Sequence, residues 1–211
     1  MKDMFKIAFA VAVIIALLLL GYNNMSYKGR KLMDKTQAQR IPDDPNKLAR
    51  PEGGYQKATF AAGCFWHVQY DFDQIPGVIS TTAGYTGGVT ENPTYKQVCT
   101  DKTGHAEAVE IIYDPNKVSY KKLLDIFFEN HNPTTKNRQG PDVGTQYRSA
   151  VFYHNAEQQK ASLAKIDELS KSGKYPSPIV TEVRPAGPFY KAEDYHQKYL
   201  EKRGIQSCPA F

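Results

Sequence analysis

The amino-acid sequence predicts an α/β (α+β) two-layer sandwich with a mixed sheet. Short apolar segments typical of strands alternate with longer segments of helical periodicity through residues 54–211. In chain order the first six segments are strand, helix, strand, strand, helix and strand. This order is that of the split βαβ, or ferredoxin-like, core, and such alternation favours helices packed as a layer on a sheet.

The boundaries of the elements follow from apolar periodicity, caps and turn residues. Strands are predicted at residues 57–61, 78–83, 105–113, 146–153 and 179–183. Helices are predicted at residues 65–72, from the cap Ser119 to residue 130, from the cap Asn155 to residue 169, and at residues 192–202. In the third of these helices Leu163, Ile166 and Leu169 are expected to face the core. Residues 84–104 and 134–145 are expected to form long loops, which often carry function.

The N-terminal region differs in composition from the rest of the chain. Residues 7–20 form an unbroken apolar run behind Lys2 and Lys6, which predicts an N-terminal apolar helix. Its length suits the core of a signal peptide, but no small-x-small cleavage site follows, so we expect a signal anchor or a signal peptide in residues 1–24. A core helix of the folded domain is the alternative. We expect a linker at residues 25–53, the folded domain at residues 54–211, and a location outside the cytoplasm, either exported or membrane-anchored.

The charge of the chain is concentrated in this N-terminal region. Residues 1–50 contain nine Lys and Arg against four Asp and Glu, a net charge of +5, and residues 51–211 contain eighteen of each, a net charge of zero. A neutral domain lacks the basic surface that nucleic-acid binding needs. We therefore expect no nucleic-acid partner, and a monomer whose contact with a membrane is made by its N-terminal segment only.

Cys64 is the centre of the candidate site. A short apolar strand and Gly63 precede it, and a predicted helix follows it, so the cysteine stands at a helix N-terminus. This position stabilises negative charge and lowers the pKa of a thiol, and the thiolate is the reactive form. Phe65 and Trp66, the only tryptophan of the chain, are expected to form an apolar pocket beside the sulfur. The alternative is a buried structural cysteine in an aromatic core.

The cysteine pattern and the glycine pattern limit the chemistry. The chain has three cysteines, Cys64, Cys99 and Cys208, and no C-x-x-C pair, so we expect no zinc or other metal. No glycine pattern for a dinucleotide or a phosphate loop is present, so we expect no cofactor. An odd number of cysteines implies a free thiol, or a redox pair with one bystander.

Glu107 is the candidate acid. Strand alternation places Glu107 on the same face as the large side chains Val109, Ile111 and Tyr113. A carboxyl group on an apolar face has a raised pKa and can act as a general acid. The alternative is a glutamate at a strand end that reaches solvent.

Four motifs in chain order resemble those of the A-type peptide methionine sulfoxide reductases. The motifs are GCFW at residues 63–66, AGYTGG at residues 83–88, GHAEAV at residues 104–109 and GTQYRS at residues 144–149. The segment AEDYHQKYL at residues 192–200 is also similar to that family. The resemblance covers residues 57–203.

The resemblance implies a role for each residue of the candidate site. Cys64 is the nucleophile, and Phe65 and Trp66 hold the methyl group of the substrate. Glu107 gives a proton to the sulfoxide oxygen. Cys64 is then left as a sulfenic acid, and the repaired product is methionine in oxidised proteins and peptides. The A type acts on the S epimer at sulfur.

The remaining assignments also rest on the resemblance. Tyr85 and Tyr147, which the sequence places at loop edges, hydrogen bond to the sulfoxide oxygen, although Tyr85 between glycines is equally compatible with a packing role. Asp142 matches the substrate-binding aspartate of the family. Gln69 is a departure, because the family usually has glutamate at this position, and any role for the residue is open. A role for His67 as a base for Cys64 is also open, and we expect it to be a poor candidate.

A second thiol is needed to regenerate Cys64. We predict that it is Cys208, because the C-terminal tail is short, polar and contains glycine, and Pro209 keeps it out of regular structure. The role of Cys99, which follows Val98 in the loop after the second strand, is open. The disulfide is then reduced by exchange with a thioredoxin-like partner.

Two other function classes use some of the same features. A tethered module that binds oxidised or Met-rich peptides without turnover would also need the aromatic pair. A thiol peroxidase would use Cys64 on peroxides, but it needs neither a methyl pocket nor an inward acid. The combination of Cys64 and Glu107 favours the reductase.

Overall fold

The computed structural model describes residues 54–205, in which strands and helices alternate. The strands are β1 (Gln56–Ala62), β2 (Val78–Thr86), β3 (Ala106–Tyr113), β4 (Arg138–Gln139), β5 (Asp142–Val143), β6 (Ser149–Tyr153), β7 (Glu182–Pro185) and β8 (Phe189–Lys191). The α-helices are α1 (Phe65–Asp73), α2 (Tyr95–Val98), α3 (Tyr120–Glu129), α4 (Ala156–Lys171) and α5 (Tyr199–Lys202). A 3-10 turn spans Thr145–Tyr147.

Six of the strands form one mixed sheet in the order β7-β6-β1-β3-β2-β8. Neighbouring strands are antiparallel, except that β6 and β7 are parallel. Strand β3 lies between β1 and β2, and helix α1 connects these two strands, which is the split βαβ arrangement. The prediction of a mixed sheet with this core is confirmed.

One face of the sheet packs against the helices and forms the main core. Phe60 of β1 stacks on Phe72 of α1 with ring centroids 5.4 Å apart, and on Phe127 of α3 at 5.0 Å. The opposite face is lined by smaller side chains, and its buried members are Ala61, Ala106, Ala108, Ala150 and Phe152. The predicted caps are present, because the side chains of Ser119 and Asn155 accept backbone hydrogen bonds in the first turns of α3 and α4.

Both predicted long loops contain regular structure. Strand β2 continues through residue 86, so Tyr85 lies within the sheet, where it pairs with Glu107 on one side and Tyr190 on the other. The two neighbouring strands supply the hydrogen bonds that extend β2. The same region contains α2, which begins with a capping box between Thr94 and Gln97. Strands β4 and β5 pair as a small hairpin in the second region, and Tyr147 lies in the 3-10 turn rather than in a strand.

The prediction of one C-terminal helix at residues 192–202 is wrong. Only Tyr199–Lys202 is helical, because Lys198 before it has a left-handed backbone with φ 54°. The short strand β8 was not predicted, and β7 begins three residues later than the strand predicted at 179–183 and overlaps only its end. In α4 the inward position predicted for Leu163 is also wrong, since Leu163 is 51% exposed and the neighbouring Ser162 is fully buried. Ser162 bonds to Tyr120, which fixes that face of the helix inward.

Several predictions fall on residues outside the described range. They are the apolar segment at residues 7–20, the linker as far as residue 53, and Cys208. Within residues 54–205, no helix combines the length and apolar character that crossing a membrane requires.

Candidate active site

Cys64 lies at the junction between β1 and α1. Gly63 has φ +92°, and a Cβ at this position would come within 2.7 Å of the Cβ of Gln139, so the turn requires glycine. Cys64 is the N-cap residue of α1 and is half-buried. The N-terminus of this nine-residue helix favours the thiolate. The structure therefore places Cys64 as predicted, and it is not the fully buried cysteine of the alternative interpretation.

The Glu107 carboxyl group lies beside the first residue of α1. Glu107 is 1% exposed, and its Oε2 accepts a hydrogen bond from the backbone N–H of Phe65 at 3.1 Å. Burial raises the pKa of Glu107 to about 8, the hydrogen bond from Phe65 opposes this shift, and the nearby Asp142 adds to it. The acid is therefore protonated at neutral pH. The alternative of a solvent-exposed glutamate at a strand end is excluded.

Aromatic side chains from α1 and from the C-terminal segment surround this point. Phe65 is buried, and its ring lies 5.8 Å from that of Tyr85. The indole of Trp66 stacks on Tyr199 with centroids 3.7 Å apart and an interplanar angle of 6°. The indole N–H of Trp66 also donates to Nδ1 of His196 at 3.0 Å. The predicted apolar pair is thus part of a larger aromatic wall.

Tyr85 is held differently from the expectation of the resemblance. It is completely buried, and its hydroxyl donates to Oε2 of Glu193 at 2.9 Å. Burial raises the pKa of Tyr85, so the hydroxyl stays protonated and acts as a donor. A phenol can donate one hydrogen bond, and in this structure Glu193 accepts it. The geometry therefore gives Tyr85 a bond that fixes the site, in addition to its packing against Phe65.

Tyr147 is carried by the 3-10 turn, which the neighbouring arginine holds in place. Arg148 is buried, and it donates from Nη1 to the carbonyl of Thr145 at 2.8 Å and from Nη2 to the carbonyl of Gly104 at 3.1 Å. It also pairs with Glu182 at 3.5 Å. These bonds join the turn to the loop before β3, the strand that carries the acid.

The electrostatics of Tyr147 place it in the same site. Burial raises the pKa of its hydroxyl, and Glu107, Asp142, Cys99 and Cys64 raise it further, in that order. Asp142, on β5, also raises the pKa of Glu107. The structure therefore brings together the thiol, the acid, Tyr147 and Asp142, as the sequence predicted.

A further tyrosine at this point was missed. Tyr95 begins α2, and burial raises the pKa of its hydroxyl, as do a hydrogen bond with Cys99 and the nearby Glu107 and Tyr147. Its backbone N–H donates to Oε1 of Glu193 at 2.9 Å. The sequence predicted only an irregular loop here. Glu107 contributes to the raised pKa of both Tyr95 and Tyr85, but the hydroxyl of Tyr85 is bonded to Glu193.

Gln69, the departure from the family pattern, has a clear structural role. It is 1% exposed, its Nε2 donates to the carbonyl of Thr81 at 3.3 Å, and its Oε1 accepts from the backbone N–H of Lys198 at 2.8 Å. An amide satisfies one acceptor and one donor at once. Gln69 therefore ties α1 to β2 and to the C-terminal segment.

The C-terminal segment supplies the site residues that sequence reasoning missed. Glu193, His196 and Tyr199 all lie at residues 192–200, which were expected to form one continuous helix. The broken backbone turns these side chains towards β2 and α1 instead. The likeness of this segment to the family was the signal that marked it, but it gave no residue a role.

The arrangement defines the site of a thiol-dependent oxidoreductase. A cysteine at a helix N-terminus lies next to a buried neutral acid and an aromatic pocket. Such a site can attack an electrophilic sulfur, protonate the oxygen that leaves it, and hold an apolar group.

The chain belongs to the peptide methionine sulfoxide reductase family, whose model, described as Peptide methionine sulfoxide reductase, matches residues 56–210. A relative from Methanosarcina acetivorans, peptide methionine sulfoxide reductase MsrA, is 62% identical over 155 residues, 74% of this chain and 82% of the relative. The reduced form of Mxr1 from Saccharomyces cerevisiae is similar in structure, with a TM-score of 0.69 and 35% identity over 77% of this chain and 94% of that one. Mxr1 in complex with Trx2 gives a TM-score of 0.50 and 26% identity, covering 72% and 90% of the two chains.

Proposed function

We propose that this chain reduces methionine-S-sulfoxide, in oxidised proteins and as the free amino acid, to methionine through Cys64, and so repairs proteins after oxidative damage. Family membership supports the reaction. The geometry supports the individual roles. The observation that carries them is the hydrogen bond that holds the buried carboxyl of Glu107 beside the residue after Cys64.

The reductase step uses the thiol and the acid together. The Cys64 thiolate attacks the sulfoxide sulfur, and the oxygen takes the proton of Glu107. The bond between the methionine sulfur and the oxygen breaks as a bond between that oxygen and the Cys64 sulfur forms. Cys64 is left as a sulfenic acid, and methionine leaves with its sulfur reduced by two electrons. A neutral Glu107 is needed because an unprotonated oxygen would carry negative charge into an apolar pocket. Phe65 and Trp66 form the wall for the substrate methyl group.

Polar groups line the other side of the proposed oxygen position. Glu107 contributes to the raised pKa of both Tyr147 and Tyr95, which supports hydroxyl contacts from these two residues to the sulfoxide oxygen. Tyr85 could make such a contact only after giving up its bond to Glu193. Asp142, which contributes to the raised pKa of Glu107 and Tyr147, is proposed to bind the substrate.

Regeneration needs two more thiol steps. The thiol of Cys208 attacks the sulfenic acid, water leaves, and a Cys64–Cys208 disulfide forms. A thioredoxin-like dithiol then reduces this disulfide by exchange and becomes oxidised itself. The complex of the similar yeast protein Mxr1 with Trx2 supports this class of partner.

The buried acid separates the reductase from the two other function classes. A peptide-binding module without turnover has no use for a carboxyl group whose pKa is raised to about 8 beside a thiol. A peroxidase has no need for an aromatic wall that fits a methyl group. The reductase uses both features.

The epimer preference tests the proposal directly. A racemic methionine sulfoxide peptide is treated to completion with the enzyme and dithiothreitol, and the remaining epimers are separated by chiral chromatography. We expect the S epimer to disappear and the R epimer to remain, because separate enzymes serve the two epimers. Loss of both epimers, or of neither, would exclude the proposal.

The N-terminal region is proposed to export or tether the domain. The support is the apolar run at residues 7–20 behind two lysines, followed by a polar linker. Fractionation of cells and mass spectrometry of the mature N-terminus test this. Full-length protein in the cytosolic fraction would contradict it.

A further inference from the structure

The carboxylate of Glu193 joins two elements of the site by one oxygen each. Oε2 accepts a hydrogen bond from the Tyr85 hydroxyl at 2.9 Å, and Oε1 accepts one from the backbone N–H of Tyr95 at 2.9 Å. Tyr85 is completely buried in β2, whereas Tyr95 begins the four-residue helix α2. Glu193 therefore connects the buried strand β2 to the short helix α2.

Backbone hydrogen bonds on the N-terminal side of Glu193 fix the position from which its side chain extends. The N–H of the preceding residue, Ala192, donates to the carbonyl of Ala83 in β2 at 2.9 Å. Two residues further back, β8 pairs with β2, with Tyr190 opposite Tyr85. The distance from the Glu193 backbone to its two partners is thus set by the sheet, and a glutamate side chain spans it.

The helix that Glu193 holds packs against the residues around the acid. The Tyr95 ring lies 4.4 Å from that of His196, and the His196 ring lies 5.0 Å from that of Phe65, whose N–H is bonded to Glu107. The Tyr95 hydroxyl bonds with Cys99 at the end of α2 and lies close enough to Glu107 and Tyr147 for each to affect its titration. A four-residue helix has little stability of its own. At the start of α2 the Thr94–Gln97 capping box satisfies the N–H groups of Thr94 and Gln97, and Glu193 satisfies that of Tyr95.

We propose that Glu193 is a positioning residue for the reductase step, which ties Tyr95 to the buried strand β2 and so sets the place of the Tyr95 hydroxyl beside Glu107. Tyr85 is the anchor of this tie. The inference rests on the proposed reaction and on the proposed contact of Tyr95 with the sulfoxide oxygen. It extends the site to a residue that touches neither the substrate nor the reacting atoms.

Two substitutions of Glu193 distinguish the effect of side-chain length from the effect of charge. Glu193→Gln keeps the length of the side chain, so its carbonyl can accept from Tyr95 and its amide can donate to the Tyr85 oxygen. Glu193→Asp keeps the charge but withdraws the oxygens by one methylene. We expect E193Q to stay within about threefold of the wild-type single-turnover rate, and E193D to lose about tenfold or more. Asp194→Asn, at an exposed neighbour paired with Lys191, is the matched control and should match wild type.

A double-mutant cycle tests whether Glu193 acts through Tyr95. The tenfold loss of E193D should largely disappear when Tyr95 is already phenylalanine, because the hydroxyl that Glu193 positions is then absent. Tyr85→Phe, which removes the anchor, should reduce the rate in wild type and have little effect in Tyr95→Phe. The measured quantity is methionine released per enzyme in the first turnover.

Three results would overturn the proposal. They are an equal loss for E193D in both backgrounds, a loss for E193Q with no loss for E193D, and full activity of E193D. The first would indicate a general structural role, and the second a role for charge. If wild type and D194N release no methionine in the same assay, the proposed reaction fails instead, so the two failures can be distinguished.

Discussion

The backbone N–H of Phe65 donates a hydrogen bond of 3.1 Å to Oε2 of Glu107, which ties the acid to the first residue of the helix that Cys64 caps. Because one oxygen of the carboxyl group accepts this bond, the proton of the neutral acid belongs on the other oxygen. Strand β3 and helix α1 are thereby held in a fixed relation. The acid and the thiol form one unit, although they are 43 positions apart in sequence.

Cys64→Ser is expected to abolish the reduction of a methionine sulfoxide peptide. A serine hydroxyl at the helix N-terminus is not ionised at neutral pH and is a far weaker nucleophile than a thiolate. The release of methionine in a single turnover measures this, with Cys99→Ser as a control that keeps the active thiol. Methionine formation by C64S above the blank would show that another group is the nucleophile.

Glu107→Gln is expected to keep the fold and to slow the reductase step by about 10²–10⁴-fold, the usual contribution of a general acid. In the wild type the same step should slow as the pH rises through about 8, because Glu107 then loses the proton that it must donate. The single-turnover rate of E107Q should not show this fall at high pH. Single-turnover rates between pH 6 and 9 test both points, and a variant rate within a few-fold of wild type would place the acid elsewhere.

The same carboxyl group is expected to reduce stability at neutral pH. Its pKa is about 8 in the folded protein and 4.5 ordinarily, so the unfolded chain loses the proton first as the pH rises. The contribution of Glu107 to the free energy of unfolding is therefore fully present below about pH 4.5. It falls as the pH rises towards 8, by at most about 1.4 kcal/mol per pH unit. E107Q should show a smaller decline and a higher Tm at pH 8. Parallel thermal melts at pH 5 and pH 8 measure this, and equal declines would contradict the assignment.

The parts of the site that sequence could predict are those set by local periodicity. Alternation along β3 placed Glu107 inward, and the glycine turn placed Cys64 at a helix start. Tyr85 was assigned to a loop because its strand is extended by pairing with β8, a contact that local pattern does not contain. Glu193 was missed for a related reason. Residues 192–200 have a composition typical of a helix, but their side chains bond to β2 and α1, and these tertiary bonds outweigh the local preference.

Gln69→Leu is expected to destabilise the domain by about 1–3 kcal/mol, the cost of leaving buried polar groups unsatisfied. The N–H of Lys198 and the carbonyl of Thr81 would each lose a partner. Because these bonds connect the C-terminal segment to the sheet, the reductase rate should fall as well. Urea unfolding with constant m-value measures the first effect. A leucine variant as stable as wild type would show that water replaces both bonds.

Cys99 is an exposed residue beside the site, but it is not well suited to the resolving step. Desolvation raises the pKa of its thiol, the hydrogen bond with Tyr95 opposes that shift, and Glu107 and Glu193 raise it further. A thiol with a raised pKa attacks a sulfenic acid slowly at neutral pH. Cys99 is also the C-cap residue of α2, whose N-terminal end is bonded to Glu193.

Cys208 is therefore expected to be the resolving cysteine, a hypothesis that rests on its place in a short, polar, glycine-containing tail. A disulfide requires the two Cα atoms to come within roughly 4.4–6.8 Å of each other, and Cys99 is held at the end of a capped helix. Cys208→Ser should still release one equivalent of methionine per enzyme but stall with thioredoxin as the reductant. Cys99→Ser, whose hydroxyl can still bond with Tyr95, should turn over at nearly the wild-type rate. Peptide mapping of the oxidised enzyme should find Cys64 linked to Cys208, and a bridge from Cys64 to Cys99 would reverse the assignment.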